Sequence, residues 1–347
     1  MSMKVLAIQF DAPHRVSIQE ETLGLPGPGQ VLVRVLVSAI SPGTELLVYR
    51  GEWPQGLPVD ETIPGLAREF QYPVRYGYAT VGEVERTGRD VPEEWLNRTV
   101  FAFHSHQSRF LASPDHLIPL PASLSSEVGA LLPNMETAVS FLMDGRPVIG
   151  EQVAVFGQGI VGLLTTALLA RMPLGNLVTL DRYPVRRDAS LRLGAATSLD
   201  PADPAAVEEV RKLLDAHQSP DGADLTYELS GSPAALDQAI AVTGYSGRVV
   251  VGSWYGAKRV NLDLGGRFHR SRIQLLGSQV SRIAPGFSGL WTKARRLQTA
   301  LRMLRTINPQ ELITHRFPVS RAPEAYRLLH EHPEEAIQVV LTYEDSE

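Results

Sequence analysis

The stretch that most constrains this chain runs from Glu151 to Leu169. Apolar residues (Val153, Ala154, Val155, Phe156) meet Gly157-Gln158-Gly159-Ile160-Val161-Gly162, and an apolar stretch at helical spacing follows. Strand, glycine turn and helix in that order form a turn that holds a dinucleotide. Gly157 permits the sharp backbone turn, Gly159 leaves room for a pyrophosphate, and Gly162 lets the helix lie close to its strand. The free N–H groups of the first helical turn complement the phosphate charge. Glycines also mark ordinary turns, so the pattern needs its second half. Leu177-Val178-Thr179-Leu180 supplies the next strand, and Asp181 stands at its end, 19 residues beyond Gly162. A carboxylate there accepts hydrogen bonds from the adenosine ribose hydroxyls and repels a 2′-phosphate, which favours NAD. Arg182 and Arg186 follow closely, and guanidinium groups can hold that phosphate, so NADP stays open.

Composition limits what such a site serves. At 347 residues the chain is long for one hydrophobic core, and two domains are expected. A net charge of −5 argues against nucleic acid or an anionic membrane as the main partner. The longest apolar run, around Ile160 to Ala170, is too short to span a bilayer. Lys4 to Phe10 reads as a strand with no cleavage site after it, so a cytoplasmic protein with a small-molecule substrate is expected. With no cysteine, the chain has no disulfide, thiolate nucleophile or Cys-based zinc site. The basic clusters Arg267-Arg270-Arg272 and Lys293-Arg295-Arg296 read as solvated surface.

Residues 1–122 are rich in short strand signals, at 4–10, 31–37, 79–84 and 99–103, as in a β-barrel or a compact β-rich domain. From residue 123 to 280 strands and helices alternate. Strands are predicted at 152–156, 177–180, 224–229, 248–252 and 272–278, and helices at 127–143, 160–171, 184–193, 205–216 and 233–241. That alternation predicts an α/β fold with a doubly wound parallel sheet. Ser230, Gly252 and Trp254 then fall at the carboxyl ends of strands, where ligands bind; for Trp254 plain packing is the alternative. Residues 281–347 hold a basic helix (292–304), a β-like piece (314–318), a helix (323–330) and a last strand (336–341), a mixed pattern that can return to the first domain.

With these pieces in place, the chain resembles the medium-chain dehydrogenase/reductase superfamily over nearly its full length. The resemblance lies in the late Gly-Gln-Gly-Ile-Val-Gly turn after a β-rich domain, Asp181-x5-Arg187 leading to Leu193-Gly194-Ala195, and Glu228-Leu229-Ser230-Gly231. It extends to Ile313-Thr314-His315-Arg316-Phe317, Ala325-Tyr326 and the closing Gln338-Val339-Val340-Leu341. It implies a GroES-like catalytic domain at both termini, a Rossmann domain between them, a nicotinamide site in the cleft and a homodimer through the edge strand near Ile273 to Ser278. Zinc relatives carry a cysteine in the loop that here reads Ser41-Pro42-Gly43-Thr44-Glu45, Gly-His-Glu at Gly77-Tyr78-Ala79, and a third ligand near Pro133-Asn134. None of the three is kept. The chain therefore looks like a zinc-free member, similar to the bacteriochlorophyllide-dehydrogenase-like branch at Ile40 to Glu45 and Arg75 to Tyr78.

Without zinc, hydrogen-bond donors or a general acid must stabilise the reacting oxygen. Thr44 matches the proton-relay position of zinc relatives, and Pro-Gly-Thr-Glu is equally a turn with a helix N-cap. His104 and His106, two apart, share one face of an extended segment and suit a proton relay. A strand end or a satisfied core histidine is the plain alternative. Tyr78 stands where the zinc-binding histidine is lost, and Glu136 lies on the helix leading towards the cofactor. The expected activity is hydride transfer between NAD and a carbonyl or secondary alcohol of a bulky small molecule. The alternatives are an NADPH-dependent enone or quinone reductase, and a nucleotide-binding redox sensor or structural subunit without turnover.

Overall fold

The computed structural model describes residues 2–54, 56, 69–214 and 222–343. The chain divides into two units, one of residues 1–133 and 308–347, the other of residues 134–307.

In the first unit, β1 (Ser2–Ala12), with its apolar run Val5 to Ile8, and β2 (Arg15–Gly24) pair as a hairpin. Chain order continues with β3 (Val31–Ala39), α1 (Pro42–Arg50), β4 (Thr80–Thr87), β5 (Thr99–Ala102), β6 (Arg109–Ala112) and β7 (Leu117–Pro119). The segment from Ser41 to Glu45, which reads as a loop in sequence, is thus the start of a helix. Pro42 presets its first φ, and Gly51, left-handed at φ 73°, ends it. Two helices lead onward, α2 (Ser126–Gly129) and α3 (Leu132–Gly145), in place of the single one expected over 127–143. Pro133 lacks an N–H and cannot continue α2, but it is accepted in the first turn of α3.

The second unit contains β8 (Gln152–Phe156), α4 (Ile160–Leu169), β9 (Asn176–Leu180), α5 (Pro184–Arg192), β10 (Thr197–Leu199) and α6 (Ala206–Leu213). The expected end of α6 at 215–216 lies outside the described residues. There follow β11 (Ala223–Glu228), α7 (Pro233–Val242), β12 (Thr243–Val251), β13 (Gln274–Gly277) and α8 (Lys293–Ile307). The six strands form one all-parallel sheet in the order β10-β9-β8-β11-β12-β13. That is the doubly wound order, reversing between β8 and β11. Strands buried on both faces read as continuous apolar runs, and Val153 to Phe156 are all at most 1% exposed.

The chain then closes the first unit with β14 (Ile313–Pro318), α9 (Ala322–Glu331) and β15 (Gln338–Thr342). There the sheet order is β14-β15-β3-β4-β5-β7, with β6 also on β3. β15 pairs antiparallel with β3 through Val340↔Ala39 and Leu341↔Ser38, so the last strand of the chain completes a sheet begun by its third. No helix among the described residues is long and apolar enough to cross a membrane.

One basic residue departs from the surface role read for its cluster. Arg296 of α8 is 2% exposed and pairs with Glu136 of α3 through Nε at 3.1 Å and Nη2 at 2.9 Å. It also donates to the carbonyls of Arg282 at 3.1 Å and Val280 at 2.6 Å. Its neighbours Lys293 and Arg295 are exposed, as expected. Burial raises the Glu136 pKa and the Arg296 charge opposes that rise. Replacing Arg296 by Met should therefore lower the unfolding free energy by about 3–5 kcal/mol, the cost of leaving a buried carboxylate alone. Urea unfolding checks this, and an unchanged midpoint would show that the pair does not tie α3 to α8.

Candidate functional site

At the switch point of the second unit the three glycines have distinct surroundings. Gly157 has φ 88°, and a Cβ there would lie 2.6 Å from the Ser230 nitrogen, so the turns after β8 and β11 are pressed together. A Cβ on Gly162 would come within 1.9 Å of the Gly157 carbonyl oxygen, which only glycine permits. A Cβ on Gly159, by contrast, would meet nothing within 4 Å among the described residues. Backbone therefore borders open space just where α4 begins, with the N–H groups of Ile160 and Val161 in its first turn. The Ile160 side chain is buried, and Val161 packs against the core beside β8.

Gln158 contributes through its main chain alone. Its side-chain nitrogen donates inward to the carbonyls of Val155 at 3.3 Å and Gly157 at 3.2 Å, and its oxygen accepts from Thr166 at 2.9 Å. Its backbone N–H donates to Asp181 Oδ2 at 2.7 Å, while Tyr183 N–H reaches Oδ1 at 2.9 Å. Asp181 is 7% exposed, and two of about four acceptor directions on its carboxylate are taken by these amides. The remaining directions suit ribose hydroxyls. Arg182 is exposed, Arg186 lies 4.7 Å over the Tyr183 ring, and Arg187 donates to the Asp181 carbonyl at 2.8 Å.

The other edge of the switch point is organised by Glu228, to which residue spacing alone assigns no role. Fully buried at the end of β11, it accepts from the N–H groups of Ser230 at 2.8 Å and Gly231 at 3.2 Å and from the Ser230 hydroxyl. Its other oxygen accepts from the Ser253 hydroxyl and, at 2.7 Å, from Tyr255. Burial and then the Glu228 charge raise the Tyr255 pKa, so this phenol is a fixed donor. One carboxylate thus joins the loops carrying Ser230 and Trp254, while Gly252 packs tightly against Phe141. Trp254 is exposed, with 42% of its surface open to solvent.

In the first unit the candidate acid–base residues separate into two kinds. The segment 103–105 is not a strand, so His104 and His106 do not share a strand face as the spacing suggested. His106 is completely buried: Nδ1 lies 2.7 Å from Ser38 Oγ, and Nε2 lies 3.0 Å from Glu45 Oε2. Glu45 also accepts from Tyr326 OH at 2.5 Å and from Ser41 N–H at 2.7 Å, and Ser38 lies 2.8 Å from Tyr343 OH. This closed network matches the satisfied core histidine of the plainer reading. Its members come from positions 38 to 343 and carry no local pattern, so sequence reasoning missed it. A Cβ on Gly77 would overlap the His106 ring at 2.5 Å, which fixes the backbone just before Tyr78.

His104 is only half-buried and stacks on Phe110 at 4.1 Å. Its Nδ1 lies 2.9 Å from the Ser105 carbonyl, an acceptor only, so the ring is protonated at Nδ1 and Nε2 is its acceptor. Burial pulls this imidazole below the usual histidine range, aided by His106 and Arg75 and opposed by the Ser105 carbonyl. Tyr78 is half-buried against the same core, its ring 6.1 Å from that of Tyr76, and Thr44 is half-buried in the first turn of α1. Glu136, expected among the catalytic residues, is held instead by Arg296 in the second unit.

A family model for zinc-binding dehydrogenases matches residues 161–297. L-threonine 3-dehydrogenase from Pyrococcus horikoshii is 24% identical over 95% of this chain and 96% of its own. The crystal structure of 2R,3R-butanediol dehydrogenase from Bacillus subtilis superposes with a TM-score of 0.79 at 20% identity, over 97% of this chain and 99% of that one. An Escherichia coli CFT073 alcohol dehydrogenase in complex with NADH gives 0.77 at 16% identity, over 98% and 99%. Together with the doubly wound strand order and the glycine turn closed against Ser230, these matches support an NAD(P)-dependent oxidoreductase similar to the medium-chain dehydrogenases/reductases.

Proposed function

We propose that the chain interconverts an alcohol and its carbonyl on a bulky small molecule, with NAD as cofactor and without zinc. The buried Asp181 carboxylate beside the open Gly159 turn carries the cofactor reading. Both amides bound to Asp181 orient it, so ribose hydroxyls meet a carboxylate already in place, and a 2′-phosphate would meet its charge. The nicotinamide, when bound, supplies the hydride chemistry.

The family model is named for zinc, and the donors of this chain do not fit that metal. The positions matching the relatives' ligands hold Ser41 to Glu45, the Tyr78 phenol and Pro133-Asn134. The nearby imidazole of His106 has both nitrogens engaged, and Glu45 has both oxygens engaged. Among the described residues, the group of three side chains suited to one ion is His332, Glu334 and Glu335, all exposed just after α9. Proton transfer then falls to this chain's own groups. His104, with Nε2 as its acceptor and its charged form disfavoured, serves as general base for an alcohol, and Tyr78 and Thr44 hold the oxygen. The exposed ring of Phe103 next to His104 in the chain favours a bulky, apolar substrate. β13 lies at the edge of its sheet, the strand through which the expected dimer would pair. A second reading, reduction of an enone with NADPH, is favoured by Arg182, exposed immediately after Asp181.

Three measurements test this. Asp181→Asn should weaken NADH binding about 100-fold in a fluorescence titration, through loss of charge-assisted hydrogen bonds; tighter NADPH than NADH binding by the unmodified chain would instead promote the enone reductase. Alcohol oxidation should be flat near neutral pH and fall on acidification, with its midpoint below the 6.5 of a free imidazole, because protonation removes the base. His104→Ala should erase that acid limb and slow kcat/KM by roughly 100-fold, and an unchanged profile removes His104 from the chemistry. Elemental analysis should find zinc far below one ion per active chain, with turnover insensitive to chelators; stoichiometric zinc refutes the metal-free reading.

A further inference from the structure

α3 runs along the parallel sheet in a direction set by two sets of contacts within the second unit. At its end, Arg248 donates to the carbonyls of Gly145 at 2.6 Å and Arg146 at 2.9 Å, and to Glu151 just before β8 at 2.7 Å. That end also meets Tyr227 of β11 and, through Asp144, Ser278 just after β13, so it lies over the body of the sheet. One turn earlier, Phe141 packs on Gly252 just past the carboxyl end of β12, where a Cβ on the glycine would lie 2.4 Å from the ring. Asn134 is seven residues before Phe141 on the same helix face, about 10 Å further along the axis. It therefore lies beyond the carboxyl edge, on the side of the sheet where the turns of Gly157, Asp181 and Ser230 emerge.

Asn134 is only 6% exposed, yet its Oδ1 has no hydrogen-bond partner among the described residues. Native proteins rarely leave a buried acceptor unsatisfied, and a bound ligand is one way to satisfy it. We propose that Asn134 Oδ1 accepts a hydrogen bond from the carboxamide N–H₂ of the nicotinamide. An acceptor suits that group and does not suit the reacting oxygen of the substrate, which gathers negative charge and calls for donors. Asn134 thereby acts as a cofactor-orienting residue, reading the redox end of the dinucleotide while Asp181 reads the adenosine end. This inference rests on the reading of the chain as an NAD-binding enzyme.

The test compares three probes on the full chain: NADH, its reduced 3-acetylpyridine analogue, in which a methyl ketone replaces the amide, and ADP-ribose. The unmodified chain should bind NADH more tightly than the acetylpyridine analogue. Asn134→Leu should weaken NADH about 5- to 10-fold, the worth of one neutral hydrogen bond, and close the gap between the two dinucleotides. ADP-ribose should bind both chains equally, which also reports that the variant is folded. An NADH preference unchanged in Asn134→Leu, with ADP-ribose still bound, overturns the role of Asn134 alone. Failure of the unmodified chain to bind ADP-ribose overturns the dinucleotide reading and this inference with it.

Discussion

The second unit depends on one close approach, that of α4 to the turn after β8. The position of a Cβ on residue 162 lies 1.9 Å from the Gly157 carbonyl oxygen, and that on residue 157 lies 2.6 Å from the Ser230 nitrogen. No side chain larger than hydrogen fits either gap without moving backbone. Because helix and turns are drawn this close, the amides at the start of α4 border the open space at Gly159, where a phosphate can meet them without a side chain between.

Buried carboxylates then hold the loops around that turn. Asp181 accepts from the amides of Gln158 and Tyr183, and Glu228 accepts from the turn after β11 and the loop after β12. Both charges are stabilised by N–H and O–H donors and not by cationic partners, as burial of an anion in a polar loop requires. Glu45 in the first unit is treated the same way by Ser41, His106 and Tyr326. The difference lies in what remains: Asp181 keeps acceptor capacity for a ligand, whereas the Glu45 network closes on itself. Glu136 follows another rule, because the Arg296 guanidinium faces it.

Much of the geometry around the glycine turn was legible in the chain because its signals are local. Gly157 to Gly162 and Asp181 lie within 25 residues, and the period of the apolar residues identifies strands and helices on either side. The surroundings of the candidate acid–base residues were far less legible. Thr44, a loop residue by its neighbours, sits in α1, since Pro42 and Gly51 bracket a helix whose apolar face shows only when packed. His104 and His106 look equivalent in sequence, yet one is half-buried with an acceptor nitrogen and the other is enclosed by Ser38 and Glu45. Arg296, in a row of charges that looks solvated, turns inward because Glu136 needs a partner.

By itself the sequence determined the class of fold, the glycine turn, the carboxylate at the end of the next strand and the absence of any cysteine ligand. These follow from residue type and spacing, which act through the local backbone. Only the tertiary structure decided which polar side chains are spent on one another and which are not. Ser38, His106, Tyr326 and Tyr343 meet because β15 returns to β3, whereas Asn134 Oδ1 is buried with no hydrogen-bond partner among the described residues. Hydrogen bonds act over about 3 Å, and the chain positions they join here are 61 to 305 residues apart.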